Sequence, residues 1–406
     1  MSIIMRTVVL ALILFSIFTV YLSMPRENEF AHRADEGHYF MYAKIIKEKG
    51  ISQFPLLWEY HLSDKIAQQF PNPASRFGHI LITSFWFKIF PNTFVSLAHF
   101  SFLCYILLII VCFYFIKKFF DQDIAYISTL LLSSSPIIMY SGRRCLQDST
   151  VNLSWALSVW LFFDFLVNKR KTKFVTFVIV YSLTITIKES AIALLPFFVL
   201  SYLLYRYKYK QDISYSYLLW LFVAPLIIVG GAYLFLFNGL DNLVSLIRFI
   251  AGVHFPVTMT NTYSLFGMGP WYKYVIDYLI LNPIATLLFI GYFFYILFTK
   301  RFDWKVTYFL VSFVIIFVLF SSMKYTKIVR FIAVLDFVIG LFAALALYEL
   351  FRQKNKDYQS YFVILAAVFI FCVNYVNVLD LFFNFNIYDP ISYVLLAVKN
   401  IVPYCR

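Results

Sequence analysis

Residues 7–24 read TVVLALILFSIFTVYLSM, and residues 33–44 read RADEGHYFMYAK. The first stretch is uncharged and mostly apolar, and about 20 such residues carry a helix across a bilayer. The second opens with adjacent carboxylates, Asp35 and Glu36. It lies in a polar loop over residues 25–78 that also holds Arg33, His38, His61, Asp64 and Arg76, with His79 just beyond. Ionisable groups beside a membrane span are costly and mark function by default. An apolar span followed by an acidic pair therefore sets both the class of the protein and the place to look for its chemistry.

The rest of the chain repeats the first signal. Of 406 residues, 62% are hydrophobic and 14% charged. Mean hydropathy is +0.78, whereas a soluble domain is about half apolar and about a quarter charged. This predicts an all-α, polytopic membrane protein with one membrane domain over residues 1–406. The formal charge of +13 does not imply nucleic acid, because no basic stripe lies outside the loops. Cys104, Cys112, Cys145, Cys372 and Cys405 form no CxxC pair and indicate neither a metal site nor a disulfide framework. The first span lacks a small-x-small cleavage site and reads as a retained anchor.

Eleven spans are expected, near 7–24, 93–116, 122–140, 149–168, 173–188, 190–206, 216–237, 274–299, 304–322, 328–351 and 359–379. The connecting loops sort by charge. Lys117-Lys118, residues 168–173, Arg206 with Lys208 and Lys210, Lys300-Arg301 with Lys305, and Arg352 with Lys354 and Lys356 fall on one side. The positive-inside rule makes that side, and the N-terminus, cytoplasmic in a cell membrane. The outer side then receives the 25–78 loop, the Tyr140–Asp148 turn, Lys188-Glu189, the late loop 238–273 and the Lys324–Arg330 turn. Within the first loop, residues 35–48 place Tyr39, Tyr42, Ala43 and Ile46 on one face, and residues 78–90 form a second amphipathic stretch. Both suit juxtamembrane helices.

The order of these motifs resembles the membrane glycosyltransferases of the GT-C fold. It is most similar to the protein O-mannosyltransferases and the aminoarabinose transferases of lipid A. The carrying residues are RADEGHYFMYAK at 33–44 and FPNPASRFGHILITSFWFKIF at 70–90, in which Phe87 to Pro91 resembles an FKLFG-type stretch. Further matches are Tyr140 to Arg144 with Leu146 and Asp148; Thr186 to Glu189 ahead of Pro196; Gly269 to Tyr274; and Lys327 to Phe331. Asn72-Pro73-Ala74 departs from the family's Pro-Pro-Leu, and no large soluble domain follows the last span.

The resemblance implies sugar transfer from a polyprenyl-phosphate donor, at the outer face, to a glycan, lipid or protein acceptor. The donor arrives already activated, so no nucleotide is needed there. Its phosphate leaves as an anion and needs cations, which Arg and Lys supply. Arg76, Lys327 and Arg330 are the first candidates, with Arg143 and Arg144 next. An inverting displacement needs one base for the acceptor hydroxyl. Asp35 is that candidate, with Glu36 orienting it or binding sugar; Asp148, Lys188, Glu189 and Tyr272 complete the binding set. No cofactor is indicated, and a divalent cation stays open.

Plainer roles fit the same residues. Asp35 and Asp148 are potential N-caps, Arg143-Arg144 a headgroup anchor, and Lys188-Glu189 a self-paired turn. Two other classes compete, namely a lipid-carrier flippase or transporter and a surface-polysaccharide polymerase or ligase. A transporter places charges near the bilayer midplane, and here Asp336 is the main mid-span example.

Overall fold

A computed structural model describes residues 1–63, 72–254, 269–323, 327–352 and 356–387, with Pro390 and Val394. Asp64, Lys324, Lys354 and Cys405 lie outside the described residues. The fold is all-helical, with no strand among the described residues. Eight of these helices are long and apolar enough to cross a membrane, or nine if one bent pair counts as a span.

Eleven spans are expected from the sequence, and prolines and helix length account for most of the difference from these eight or nine. The expected 122–140 span is two helices, Gln122–Ser133 and Pro136–Arg143, bent by 63°. Pro136 lacks the N–H that would continue the first helix. The expected 274–299 span is likewise divided into Lys273–Leu281 and Pro283–Thr299. Lys171–Ile187 has 17 residues, at the lower end of the roughly 17–25 that a crossing takes.

The chain forms two compact units. One comprises residues 1–24, 102–143 and 267–406. Among its single-helix candidate spans Val329–Leu350 is the most enclosed, with 83% of its most apolar window buried. Small residues allow this tight packing, as lipid-embedded helices require. Ala343 and Ala344 are fully covered, and a Cβ on Gly340 would approach the Ser128 carbonyl to 3.2 Å. Asp123 ties down the start of the chain, accepting from Arg6 Nε at 3.0 Å and from the Met1 ammonium at 2.6 Å.

The other unit comprises residues 25–101 and 144–266. Both expected juxtamembrane helices are present, as Asp35–Lys49 and Phe77–Ile89. Tyr39, Tyr42, Ala43 and Ile46 are the buried face of the first, joined by Glu36. That face and Phe54–Ser63, a helix not anticipated, pack into an aromatic core of Tyr42, Trp58, Phe77, Tyr233 and Phe237. Gly78 lies against Thr186, where a Cβ would come within 2.1 Å of Oγ1. Glu27 accepts from Phe94 N (2.9 Å) and Val95 N (3.0 Å), satisfying the start of the Phe94–Phe119 helix.

Candidate active site

The acidic pair opens the Asp35–Lys49 helix, whose N-cap is Ala34. Asp35 is thus a first-turn residue, not the N-cap, and both carboxylates face the positive end of the helix dipole. The preceding loop folds tightly over this turn. A Cβ at Gly37 would fall 1.9 Å from the His32 carbonyl oxygen, so only glycine fits there.

The two acids then part company. Glu36 is fully buried. Its Oε1 accepts from Arg144 Nε at 2.8 Å and Cys145 N at 3.3 Å, and its Oε2 from Arg144 Nη2 at 2.7 Å and Ala31 N at 2.8 Å. This is a bidentate pair completed by two backbone donors, the arrangement that makes a buried carboxylate tolerable. Burial and the Glu36 charge push the Cys145 thiol pKa well up. Arg144 is therefore committed to Glu36, and neither residue is a headgroup contact. Asp35 stays partly exposed.

Around Asp35, the same unit assembles a second network with Tyr39 at its hub. Arg76 Nη1 donates to Tyr39 OH, and Arg76 Nη2 lies 3.6 Å from Glu189 Oε1. With its amide turned to satisfy both ends, Gln147 accepts from Arg76 Nη1 at 3.2 Å and donates to the Ile187 carbonyl at 3.3 Å. Lys188 Nζ stands 3.7 Å from Asp148 Oδ1. Lys188 thus lies near Asp148 and Glu189 near Arg76, and Asp148 starts a helix whose N-cap is Gln147. Burial raises the Tyr39 pKa, Arg76 opposes that, and Asp35, Asp148 and Glu189 add to it. Burial works against the Arg76 charge, but Tyr39, Glu189 and Asp35 hold its pKa above the usual value. His79 packs edge-on to Tyr39 at 5.0 Å. Burial and the Arg76 charge lower its pKa to about 3, keeping it neutral. Asp35, Asp148 and Glu189 thus share this network with Arg76 and Lys188.

The remaining candidates belong to the other unit, which is rich in cations. Lys327 is buried and donates to the Gly269 carbonyl at 2.6 Å. Its pKa is lowered by burial and by the charge of Lys273. Lys273 itself pairs with Asp277 at 2.6 Å. Arg330 is buried on the short helix Val329–Ile332, which Tyr278 ties down by donating to the Ile332 carbonyl at 3.0 Å. Arg143 is enclosed, donating to Asn386 Oδ1 at 2.8 Å and lying 4.6 Å from the Phe382 ring centre. Tyr272 is exposed.

The structure therefore groups Asp35, Arg76, Asp148, Lys188 and Glu189 in one unit, with Glu36 and Arg144 as a separate pair there. It places Arg143, Tyr272, Lys327 and Arg330 in the other. Gln147 and Lys273 are members that sequence reasoning gives no role, while Tyr39 and His79 are named there only for their place in or beside the first loop. The period-3.6 spacing of Tyr39 from Asp35 was the signal for Tyr39, but it reads equally as packing. Among the described residues, no three His, Cys, Asp or Glu side chains are placed to hold a metal ion.

Comparison with known proteins agrees with this architecture. Residues 77–232 match the family described as dolichyl-phosphate-mannose-protein mannosyltransferase. The crystal structure of ArnT from Cupriavidus metallidurans bound to undecaprenyl phosphate superposes with a TM-score of 0.60 at 15% identity, covering 95% of this chain and 74% of that one. The archaeal oligosaccharyltransferase AglB from Archaeoglobus fulgidus, in complex with an inhibitory peptide and a dolichol-phosphate, gives 0.58 at 12% identity, covering 98% and 56%. No curated protein matches the chain in sequence. The chain has the GT-C fold of membrane glycosyltransferases, and it resembles the O-mannosyltransferases and ArnT.

Proposed function

We propose that this protein is a membrane glycosyltransferase. It moves a hexose or pentose from a polyprenyl-phosphate carrier to a hydroxyl acceptor on the face opposite the basic loops. The observation that carries this reading is the buried charge network around Asp35, built on a fold shared with ArnT and AglB. The solved structures of those two proteins hold undecaprenyl phosphate and a dolichol-phosphate respectively.

The steps follow from the residues. Asp35 accepts the acceptor's proton as its oxygen attacks the anomeric carbon. The bond from that carbon to the phosphate oxygen breaks on the opposite side, inverting the centre. Polyprenyl phosphate departs as an anion, with no proton required. Lys327 and Arg330 hold its charge, being buried cations on the side where short loops carry few of them, whereas Arg76 is already engaged by Tyr39 and Glu189. Arg76 instead sets Tyr39 and Glu189 beside Asp35. Glu36, through Arg144 and Ala31 N, fixes the first helical turn on which Asp35 stands.

Binding of a polyprenyl-phosphate sugar to the purified protein tests the phosphate assignment. Lys327→Ala and Arg330→Ala should each weaken it by about 1–3 kcal/mol, the usual loss for a charged hydrogen bond. Unchanged donor affinity in both variants would contradict the assignment.

A further inference from the structure

A second feature lies away from the charge networks around Asp35, Lys327 and Arg330. In the unit of residues 1–24, 102–143 and 267–406, a cavity of about 560 Å³ runs along Pro283–Thr299 and the Val329–Leu350 span. Leu287 and Leu350 form exposed apolar walls. Gly291 forms part of its lining, and a Cβ built there meets nothing within 4 Å. The empty space in front of Gly291 is therefore groove, not a close helix crossing.

One end of the groove is polar. Tyr295 OH donates to Glu349 Oε1 at 2.5 Å. Arg301 Nη1 donates to Tyr295 OH at 2.8 Å and to Glu349 Oε1 at 3.1 Å. Arg352 Nη1 reaches the same oxygen at 3.4 Å. The Arg301 and Arg352 side chains are 59% and 66% exposed, and a guanidinium carries five N–H donors. Lys300 precedes Arg301, and the other nearby acid, Asp303, accepts from Lys305 N at 3.1 Å. The cations thus outnumber the acids at the mouth of an apolar slot.

We propose that this groove binds an anionic glycerophospholipid, with an acyl chain along Leu287, Gly291 and Leu350 and the phosphate between Arg301 and Arg352. Charge complementarity selects the headgroup. Basic pockets between membrane helices take anionic lipid heads, and each arginine near such a surface adds about 1 kcal/mol. The tyrosine hydroxyls suit the level where chain meets headgroup. This inference does not rest on the glycosyltransferase reading, since none of its residues belongs to the charge networks described above.

Native mass spectrometry of the full chain tests it, with phosphatidylglycerol, phosphatidylcholine of the same acyl chains, and polyprenyl phosphate as probes. Phosphatidylglycerol should be retained in preference to phosphatidylcholine. Arg301→Gln and Arg352→Gln should each weaken its retention roughly fivefold. Gly291→Leu, which fills open space and favours the helix, should abolish the bound lipid while leaving the melting temperature and sugar transfer intact. Equal retention of the two phospholipids, a preference untouched by all three variants, or displacement of phosphatidylglycerol by polyprenyl phosphate would each overturn the proposal.

Discussion

At the scale of single residues, Asp35 and Glu36 are neighbours with opposite duties. Glu36 receives four hydrogen bonds and is sealed from solvent. Asp35 stands at the edge of the Tyr39 network, where its charge acts on Tyr39, Arg76 and His38. Neutral amides separate these duties. Asp35→Asn should lose turnover at least about 10²-fold, the low end for a general base, with its melting temperature close to wild type. Glu36→Gln leaves Arg144 buried beside a neutral partner, and breaking such a pair costs about 3–5 kcal/mol. Kinetics and thermal melts on the two variants check both statements; an active Asp35→Asn enzyme would move the base elsewhere. The acidic pair was legible because two carboxylates beside an apolar span have few innocent explanations. The split between them was not, because it depends on Arg144, 108 positions away. Tyr39 was equally hidden, as one of 31 tyrosines in a pattern that also describes packing.

At the scale of elements, the juxtamembrane helices were legible and the breaks were not. Periodicity located Asp35–Lys49 and Phe77–Ile89 almost to the residue, since amphipathic spacing at an interface is a strong local signal. Hydropathy alone ran through Ser135-Pro136 and Asn282-Pro283 because their flanks are apolar on both sides. It gave equally little warning that Phe77–Ile89 packs on Lys171–Ile187 with Gly78 against Thr186. A Cβ at Gly78 would sit 2.1 Å from Thr186 Oγ1 and 2.8 Å from its backbone carbon. Gly78→Ala should therefore destabilise the protein by about 1–3 kcal/mol, as overpacking does, despite the better helix propensity of alanine. A thermal melt reads this directly; a stabilised variant would mean that the two helices do not approach so closely.

At the scale of the whole molecule, the class was legible from composition, while orientation rests on loop charge. Short basic loops alternate with loops of mixed charge, and the Asp35 loop falls on the mixed side. In a cysteine-free background, a cysteine at Ser63, which is exposed, should react with an impermeant thiol reagent in intact cells. One at Thr172, also exposed, should be protected. The reverse labelling would invert the topology and remove the reason for a lipid-borne donor. The central claim is the reaction itself, and its most direct measurement is mass spectrometry of the lipid product. The purified chain is incubated with polyprenyl-phosphate sugars and candidate acceptors. The account predicts that free polyprenyl phosphate accumulates in step with glycosylated acceptor in the wild type and is nearly absent with Asp35→Asn. Donor that binds and stays intact with every acceptor, or release that is undiminished in Asp35→Asn, would contradict it.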